Sequence, residues 1–306
     1  MSSSSILVVG SSNTDMIIKL DRIPRPGETI LGGAFVTAAG GKGANQAVGA
    51  ARAGGQVTFI ARVGQDMFGD QAVVGFVKDG INVDHVTRDK TNPSGVALIF
   101  VAKDGENSIA VAGGANAKLS PADVKKAKAA FAGASVLVMQ LETPLETVQA
   151  AAALAAKAGV PVILNPAPAQ PLPDKLLKCV SILTPNETEA ELLTGITVND
   201  ATSAAAAAAK LRARGVQTVI ITLGARGAYM ATASGGQLVP GFKVKAMDTT
   251  AGGDVFNGAL AVAMAEGKPL DLAVRFANAA AAISVTRLGA QPSAPTRREI
   301  DRFLKK

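Results

Sequence analysis

The sequence predicts an α/β protein: a doubly wound, mainly parallel sheet flanked by helices, with a small antiparallel β lid outside it. Three observations lead there. Short apolar runs recur at 6–9, 57–60, 136–139, 162–164 and 219–221 without the alternation of a half-exposed strand, as expected of strands covered on both faces. Stretches with helical spacing lie between them, giving the strand–helix rhythm of an α/β fold. Two segments, 13–38 and 91–112, break that rhythm with β-branched alternation and turn residues but no helix.

The elements follow in order. The strand at 6–9 is preceded by Met1 and four serines with no basic residue, too little for a signal peptide, so 1–5 reads as a disordered tail. The 13–38 excursion carries Ile17-Ile18-Lys19-Leu20 and then turns at Pro24 and Pro26-Gly27. Ala44, Ala47, Val48 and Ala51 mark one face of a helix over 44–53. The 91–112 excursion runs Val96 to Val101, turns at Asp104-Gly105 and stops at Gly113-Gly114. Helices are expected at 121–131, 144–158, 187–194 and 201–213, the last containing the helix-prone run Ala204 to Ala209. Beyond about 248 helices dominate, at 255–264, 271–286 and 297–306. No shift in composition marks a linker, so 1–306 reads as one domain whose two excursions form a lid or an interface.

Counting removes several chemistries. The single cysteine, Cys179, and single histidine, His85, supply neither a zinc site nor a disulfide framework, which points to the cytoplasm. A Ser-His-Asp triad would need His85, which has no nucleophile beside it and reads as a surface or loop residue. No apolar run reaches the length of a membrane span. The 31 basic and 24 acidic residues leave a net charge of +7, which suits an anionic partner. Nucleic acid fits poorly, because there is no tryptophan and only Tyr229 among tyrosines to stack on bases.

Five segments carry chemistry. Gly40-Gly41-Lys42-Gly43-Ala44-Asn45-Gln46 opens a helix and brings backbone, a charge and an amide to its positive end. It is not a phosphate-binding P-loop, since Gly43 follows Lys42 and Val36 stands where a glycine is required. Asp248-Thr249-Thr250-Ala251-Gly252-Gly253-Asp254 precedes another helix; its small residues expose N–H groups for developing phosphoryl charge, and Asp254 can take a proton from a hydroxyl or merely complement the helix dipole. Asn186-Glu187-Thr188-Glu189 has the pattern of a capping box and can also hold Mg²⁺ through water. Thr222-Leu223-Gly224-Ala225-Arg226-Gly227 follows a strand, where α/β folds bind ligands, or is an ordinary turn. Ser11-Ser12-Asn13-Thr14-Asp15 follows the first strand, and Glu142 ends the 136–141 strand.

Singly these segments are unspecific, but their order along the chain resembles the ribokinase branch of the PfkB-type carbohydrate kinases over about residues 5–304. The resemblance implies a ribokinase-like fold and ATP-dependent phosphorylation of D-ribose at its 5-hydroxyl. Asn13, Asp15, Gly41, Lys42, Asn45 and Glu142 would then bind the sugar, with Asp254 as general base and the N–H groups of Ala251, Gly252 and Gly253 as anion hole. Asn186 and Glu189 would position Mg²⁺ and phosphate, while Thr222, Gly224, Ala225, Arg226, Gly227 and Asn278, with Gly253, would surround ATP. A monovalent cation, usually K⁺, would sit near Asp248, Thr250, Ser284, Arg287, Gly289 and Ser293. The resemblance further implies a homodimer formed through the lid. Gly252 departs from the family's usual alanine, which bears on the rigidity of that loop. Kinases for fructose, 2-keto-3-deoxygluconate or adenosine are the neighbouring alternatives. A non-catalytic sugar- or nucleotide-responsive regulator is the alternative of another class, opposed by the presence of Asp254 and the glycines before it.

Overall fold

The computed structural model describes residues 5–305, so the tail expected at 1–4, together with Lys306, lies outside the described residues. Ser5, expected in that tail, opens the first strand. In chain order the strands are β1 (Ser5–Val9), β2 (Asn13–Leu20), β3 (Ala34–Gly40), β4 (Gln56–Gly64), β5 (Asn82–Asp89), β6 (Gly95–Ala102), β7 (Asn107–Ala112), β8 (Val136–Met139), β9 (Val162–Leu164), β10 (Ile182–Leu183), β11 (Thr218–Thr222), β12 (Gly227–Thr232) and β13 (Gly235–Pro240).

Nine of them form one sheet in the order β13-β12-β11-β10-β9-β8-β1-β4-β5. β1 pairs in parallel with β4 on one side and β8 on the other. The chain thus winds outward to β5, returns across β1, and winds out the other way through β8 to β11. This is the doubly wound order, and the reversal between β1 and β8 opens a crevice at their carboxyl ends. Successive residues of β1 explain its unbroken apolar run: Ile6 and Val8 join one buried cluster, Leu7 and Val9 the other. The Lys42–Arg52, Gly252–Ala265 and Leu270–Ser284 helices cover the first face, and the Leu145–Ala158 and Ala201–Ala213 helices the second.

Several elements escaped the sequence reading. β5 holds His85, which is a half-buried strand residue paired with Ile60 and not a loop residue. The strand Asn-Val-Asp-His-Val-Thr-Arg-Asp is polar because it lies at the sheet edge, where one side has no partner. β10 is only two residues long, and β12 with β13 forms an antiparallel hairpin that closes the other edge. The Met67–Lys78 helix starts where Asp66 Oδ1 accepts from Gly69 N at 2.9 Å. Its Met67, Val74 and Val77 face outward, which blurs the amphipathic pattern. The helix expected over 121–131 is two, Pro121–Lys126 and Lys128–Ala132, divided at Ala127. That expected over 255–264 starts earlier, at Gly252.

The two excursions meet as a second sheet in the order β3-β2-β6-β7. Each is an antiparallel hairpin, as expected, and the two are joined by parallel pairing of β2 with β6. That junction is invisible in either segment alone. Asn116 ties the roots of the lid together: its Nδ2 donates to Ser12 O at 3.0 Å and Asn13 Oδ1 at 2.7 Å, and its Oδ1 accepts from Ser12 N at 2.9 Å.

Leu137 is fully buried in β8 at the centre of the larger sheet. Replacing Leu137 by Ala should cost about 2–5 kcal/mol through lost burial and a residual cavity. Urea denaturation measures it, and a loss well under about 1 kcal/mol is incompatible with this packing.

Candidate active site

Two helix N-termini point into the crevice. The Lys42–Arg52 helix begins after Gly41, against the loop that leaves β1. A Cβ on Gly43 would stand 2.4 Å from Ser11 N and 2.7 Å from Gly10 Cα, so only glycine lets the two backbones lie this close. Ser11 Oγ accepts from Gly43 N at 3.2 Å and donates to Glu142 Oε2 at 2.5 Å. Glu142 Oε2 also accepts from the backbone N of Lys42 at 2.9 Å. Glu142 follows β8, so the strand reversal places it across from the loop after β1.

The Gly252–Ala265 helix crosses the first one in backbone contact. A Cβ on Gly258 would stand 2.6 Å from both Ala50 N and Gln46 O, so glycine permits this approach. The crossing buries Asp254, in the first turn, against the partner helix. Asp254 Oδ2 accepts from Asn45 Nδ2 at 3.0 Å and Oδ1 from Gln46 Nε2 at 2.9 Å. Burial pushes the Asp254 carboxyl up, and nearby Glu142 adds to this, while Lys42 and the two amides oppose it. Burial also works against the Lys42 ammonium, but the carboxylates of Asp254, Glu142 and Glu189 outweigh it and hold its pKa above the usual lysine value. Asp15, on β2, is pushed up to about 6, first by burial and then by Glu142 and Asp254.

Just before Asp254 the chain makes an unusual turn. Ala251 has φ 58°, the one non-glycine residue with positive φ among the described residues. Such strain clusters at functional sites. Gly252, by contrast, is not left-handed, so the freedom that distinguishes it from alanine is unused. Its N–H donates to Thr249 O at 3.2 Å, whereas the N–H groups of Gly253 and Asp254 lie in the open first turn, beyond the reach of intrahelical carbonyls. Around this turn lies a small polar cavity of about 160 Å³ that also touches Lys42, Asn186, Glu189 and Thr222.

A larger, mainly apolar cleft of about 570 Å³ adjoins it and shares Thr222, Thr249, Gly252 and Gly253. Gly224, Ala225, Gly227 and Asn278 line it, together with Phe242, Lys243 and Phe256, which the sequence did not single out. Asn278 Nδ2 donates to Val239 O at 3.2 Å, fixing the side chain to β13. The 222–227 segment is a short helical turn that sends the chain from β11 into antiparallel β12. Arg226 is not among the cleft residues: its guanidinium pairs with Glu187 at 2.8 Å and binds Asn199 O. Asn186 forms the expected capping box, with Glu189 N donating to Asn186 Oδ1 at 2.8 Å and Asn186 N to Glu189 Oε2 at 2.9 Å. Glu189 nonetheless stays close enough to Lys42 and Asp254 to feel both charges.

Asp248 lies on the loop before Ala251. Its Oδ1 accepts from Thr250 N at 2.9 Å and its Oδ2 from Gly289 N at 2.8 Å, while Met247 N and Asp248 N both donate to Val285 O. These bonds draw 247–250 against 284–289. Arg287 turns its guanidinium to Glu299, and Ser284 and Ser293 bond to Ala281 O and Ala290 O. No group of three or more acidic, histidine or cysteine side chains poised for a metal occurs among the described residues.

The sequence reading gave no role to a set of polar residues that back the site, Asn116, Gln140, Asn165, Thr184 and Asn257, and named Ser11 only as part of the 11–15 segment. Three of them share a signal, a polar residue at the carboxyl end of an apolar strand, as in Gln140 after β8, Asn165 after β9 and Thr184 after β10, whereas Asn116 and Asn257 lie within helical turns and carry no such mark.

A buried carboxylate beside an open helix start, a cleft next to it and a lid rooted at its rim form the arrangement on which the comparisons bear. Residues 3–297 match the model of the pfkB family carbohydrate kinases. The chain belongs to this family. It is 49% identical over 300 residues to the ribokinase of Haemophilus influenzae, covering 98% of each chain. Among solved structures it is similar to a ribokinase of Thermotoga maritima (TM-score 0.90, 41% identity, 98% of this chain and 99% of the other). It is similar as well to an Arabidopsis thaliana ribokinase complexed with ribose and ATP (TM-score 0.92, 35% identity, all of both chains). The ribokinase-like fold expected from the motifs is therefore the fold of this chain.

Asp15 provides a test of the electrostatics. A carboxyl whose folded pKa is raised to about 6 stabilises the fold below the unfolded value, and this contribution is lost as pH rises through about 6. Asp15→Asn should accordingly raise Tm at about pH 7.5 and leave it nearly unchanged at about pH 4. Calorimetry at the two pH values measures the difference, and an equal effect at both contradicts a perturbed carboxyl.

Proposed function

We propose that this chain transfers the γ-phosphoryl group of ATP to the 5-hydroxyl of D-ribose, giving ribose 5-phosphate and ADP. The observation that carries the reading is Asp254, a buried carboxylate with raised pKa, held by two amides in the first turn of a helix whose start opens onto the same cavity. Whole-chain similarity to a ribokinase complexed with ribose and ATP supports it.

Asn13, Asp15, Gly41, Lys42, Asn45 and Glu142 hydrogen-bond the sugar and reject sugars lacking a partner group. Asp254 takes the proton of the 5-hydroxyl as that oxygen attacks the γ-phosphorus. The bond to the bridging oxygen breaks and ADP leaves. Backbone N–H groups of Ala251 and Gly253, with the Lys42 ammonium, stabilise the charge on the phosphoryl in transit, and the Gly252 N–H joins them by exchanging its bond to Thr249 O for one to the phosphoryl. Thr222, Gly224, Ala225, Gly227 and Asn278 surround the nucleotide, and Arg226 stands at the rim, held by Glu187.

The residues present fit the metals this reaction calls for. Glu189 offers one half-buried carboxylate beside Asn186, a donor set suited to Mg²⁺ that keeps most of its water. Mg²⁺ accompanying ATP neutralises phosphate charge. Asp248, with the backbone around Thr250, Ser284, Arg287, Gly289 and Ser293, suits a monovalent cation such as K⁺. An ion there would brace the loop that leads into Ala251.

The lid makes a homodimer. Val36, Ile17, Ile99 and Ile109 stand in register across its four strands on one face, and Val36 and Ile109 are 48% and 56% exposed. An apolar row of this kind is covered when a second copy packs its own lid against it. Two residues along the same face stands Asp15, so the partner would also exclude water from the sugar. Residues 1–306 work as one domain around one active site, and the ATP requirement suits the cytoplasm.

A coupled kinase assay over ribose, fructose, 2-keto-3-deoxygluconate and adenosine, with and without K⁺, tests the assignment; turnover on another substrate but not on ribose refutes it. Asp254→Asn should lower kcat by roughly 10²–10⁴-fold while calorimetric ribose affinity survives, and near-normal turnover contradicts its role as base. Changing Val36 and Ile109 together to Asp should convert the dimer to a monomer in sedimentation, and an unchanged mass rules out the lid as the interface.

A further inference from the structure

Behind Asp254 lies a ring of buried groups that the sugar, nucleotide and cation roles leave unused. Gln46 Nε2 donates to Asp254 Oδ1 at 2.9 Å and to Asn165 Oδ1 at 3.1 Å, and Gln46 Oε1 accepts from Gln140 Nε2 at 2.6 Å. Asn165 Nδ2 donates to Thr184 O at 3.1 Å, Thr184 Oγ1 to Asn257 Oδ1 at 2.7 Å, and Asn257 Nδ2 to Gly253 O at 2.8 Å. Gly253 is bonded covalently to Asp254, so the circuit closes on itself. Gln46, Gln140, Asn165, Thr184 and Asn257 are all buried.

The polarity of the ring is fixed. A carboxamide has one donor end and one acceptor end. Gln140 claims the acceptor end of Gln46, and both acceptors, Asp254 and Asn165, lie at its donor end. Turning Gln46 over would set oxygen against carboxylate and nitrogen against nitrogen in a place water does not reach, leaving buried groups unpaired. The ring therefore presents an N–H to Asp254 Oδ1 and no other group.

We propose that Gln46 is a positioning residue for phosphoryl transfer: aligned by Gln140 and Asn165, it fixes the Asp254 carboxylate, and the same ring fixes the Gly253 carbonyl, so base and anion hole are held as one unit. This inference rests on the reading of Asp254 as the base. Of the side chains in the ring, Gln46 alone hydrogen-bonds Asp254, whose other oxygen is held by Asn45; Gln140 acts one step further back and lines neither the polar cavity nor the nucleotide cleft. The charged groups facing Asp254 are Lys42, Glu142, Asp15 and Glu189, and changes at Gln46 or Gln140 leave all four in place.

The test compares Gln46→Glu, Gln140→Met and Asp254→Asn in the full chain, with kcat and KM for ribose followed from about pH 5 to about pH 9. Gln46→Glu puts a carboxylate where a donor stood, which raises the pKa of the base. Its kcat should fall about tenfold or more, KM for ribose should change by less than about threefold, and the acid limb of the kcat profile should move up by about one pH unit. Gln140→Met keeps the volume but frees Gln46, and should move kcat and the acid limb in the same directions by less; it carries the test by itself where Gln46→Glu does not fold. If both folded variants show wild-type kcat and an unmoved limb with only a lower Tm, the ring is merely structural and the inference falls. Asp254→Asn separates the two failures: if it is inactive beside such variants, the base reading stands and only the inference fails, whereas turnover in Asp254→Asn removes the base reading itself.

Discussion

Burying one carboxylate organises this molecule. A charge taken out of water must find donors and a counter-charge, or it becomes protonated. Asp254 is buried because two helices cross with their backbones touching at Gly258, and the donors it finds, Asn45 and Gln46, come from the first turn of the crossing helix. Lys42 precedes them on the same turn. The Lys42–Arg52 helix thus brings the amides and the ammonium together, and none could reach Asp254 if the helices stood a side chain apart.

The rest of the site follows from where the sheet reverses. The adjacent carboxyl ends of β1 and β8 bring Ser11 and Glu142 together, although 131 residues separate them. The helix over Gly252–Ala265 then divides the crevice, with Asn45 and Glu142 to one side of Asp254 and the apolar cleft on the other. The local charge is largely negative: Asp15, Glu142, Glu189 and Asp254 face a single ammonium. Backbone N–H groups at the start of the Gly252–Ala265 helix add positive potential beside it without a mobile side chain. The surplus of seven positive charges in the sequence is not spent there. Arg226, the one arginine expected beside the nucleotide, is neutralised by Glu187.

Much of this was legible in the chain. Buried strands announce themselves because both faces are apolar, and the glycine-rich turns stand out because few other residues could replace them. What stayed hidden has physical causes. The edge strand β5 is polar because it has a neighbour on one side only, and the Met67–Lys78 helix turns apolar residues outward. Asn165, Thr184 and Asn257 look like ordinary polar residues, because a hydrogen-bonded ring leaves no spacing in the sequence.

The sequence by itself determined the layered α/β class, the two β excursions, and the residue types at both helix starts, since periodicity, turn chemistry and caps are local properties. The tertiary structure alone decided that the excursions join through parallel β2 and β6, that Arg226 faces Glu187, and that Gln46 points its donor end at Asp254. Those outcomes depend on which groups face one another after the chain has closed over long distances, and pairing of that kind is set by packing geometry and by the cost of leaving a buried polar group without a partner.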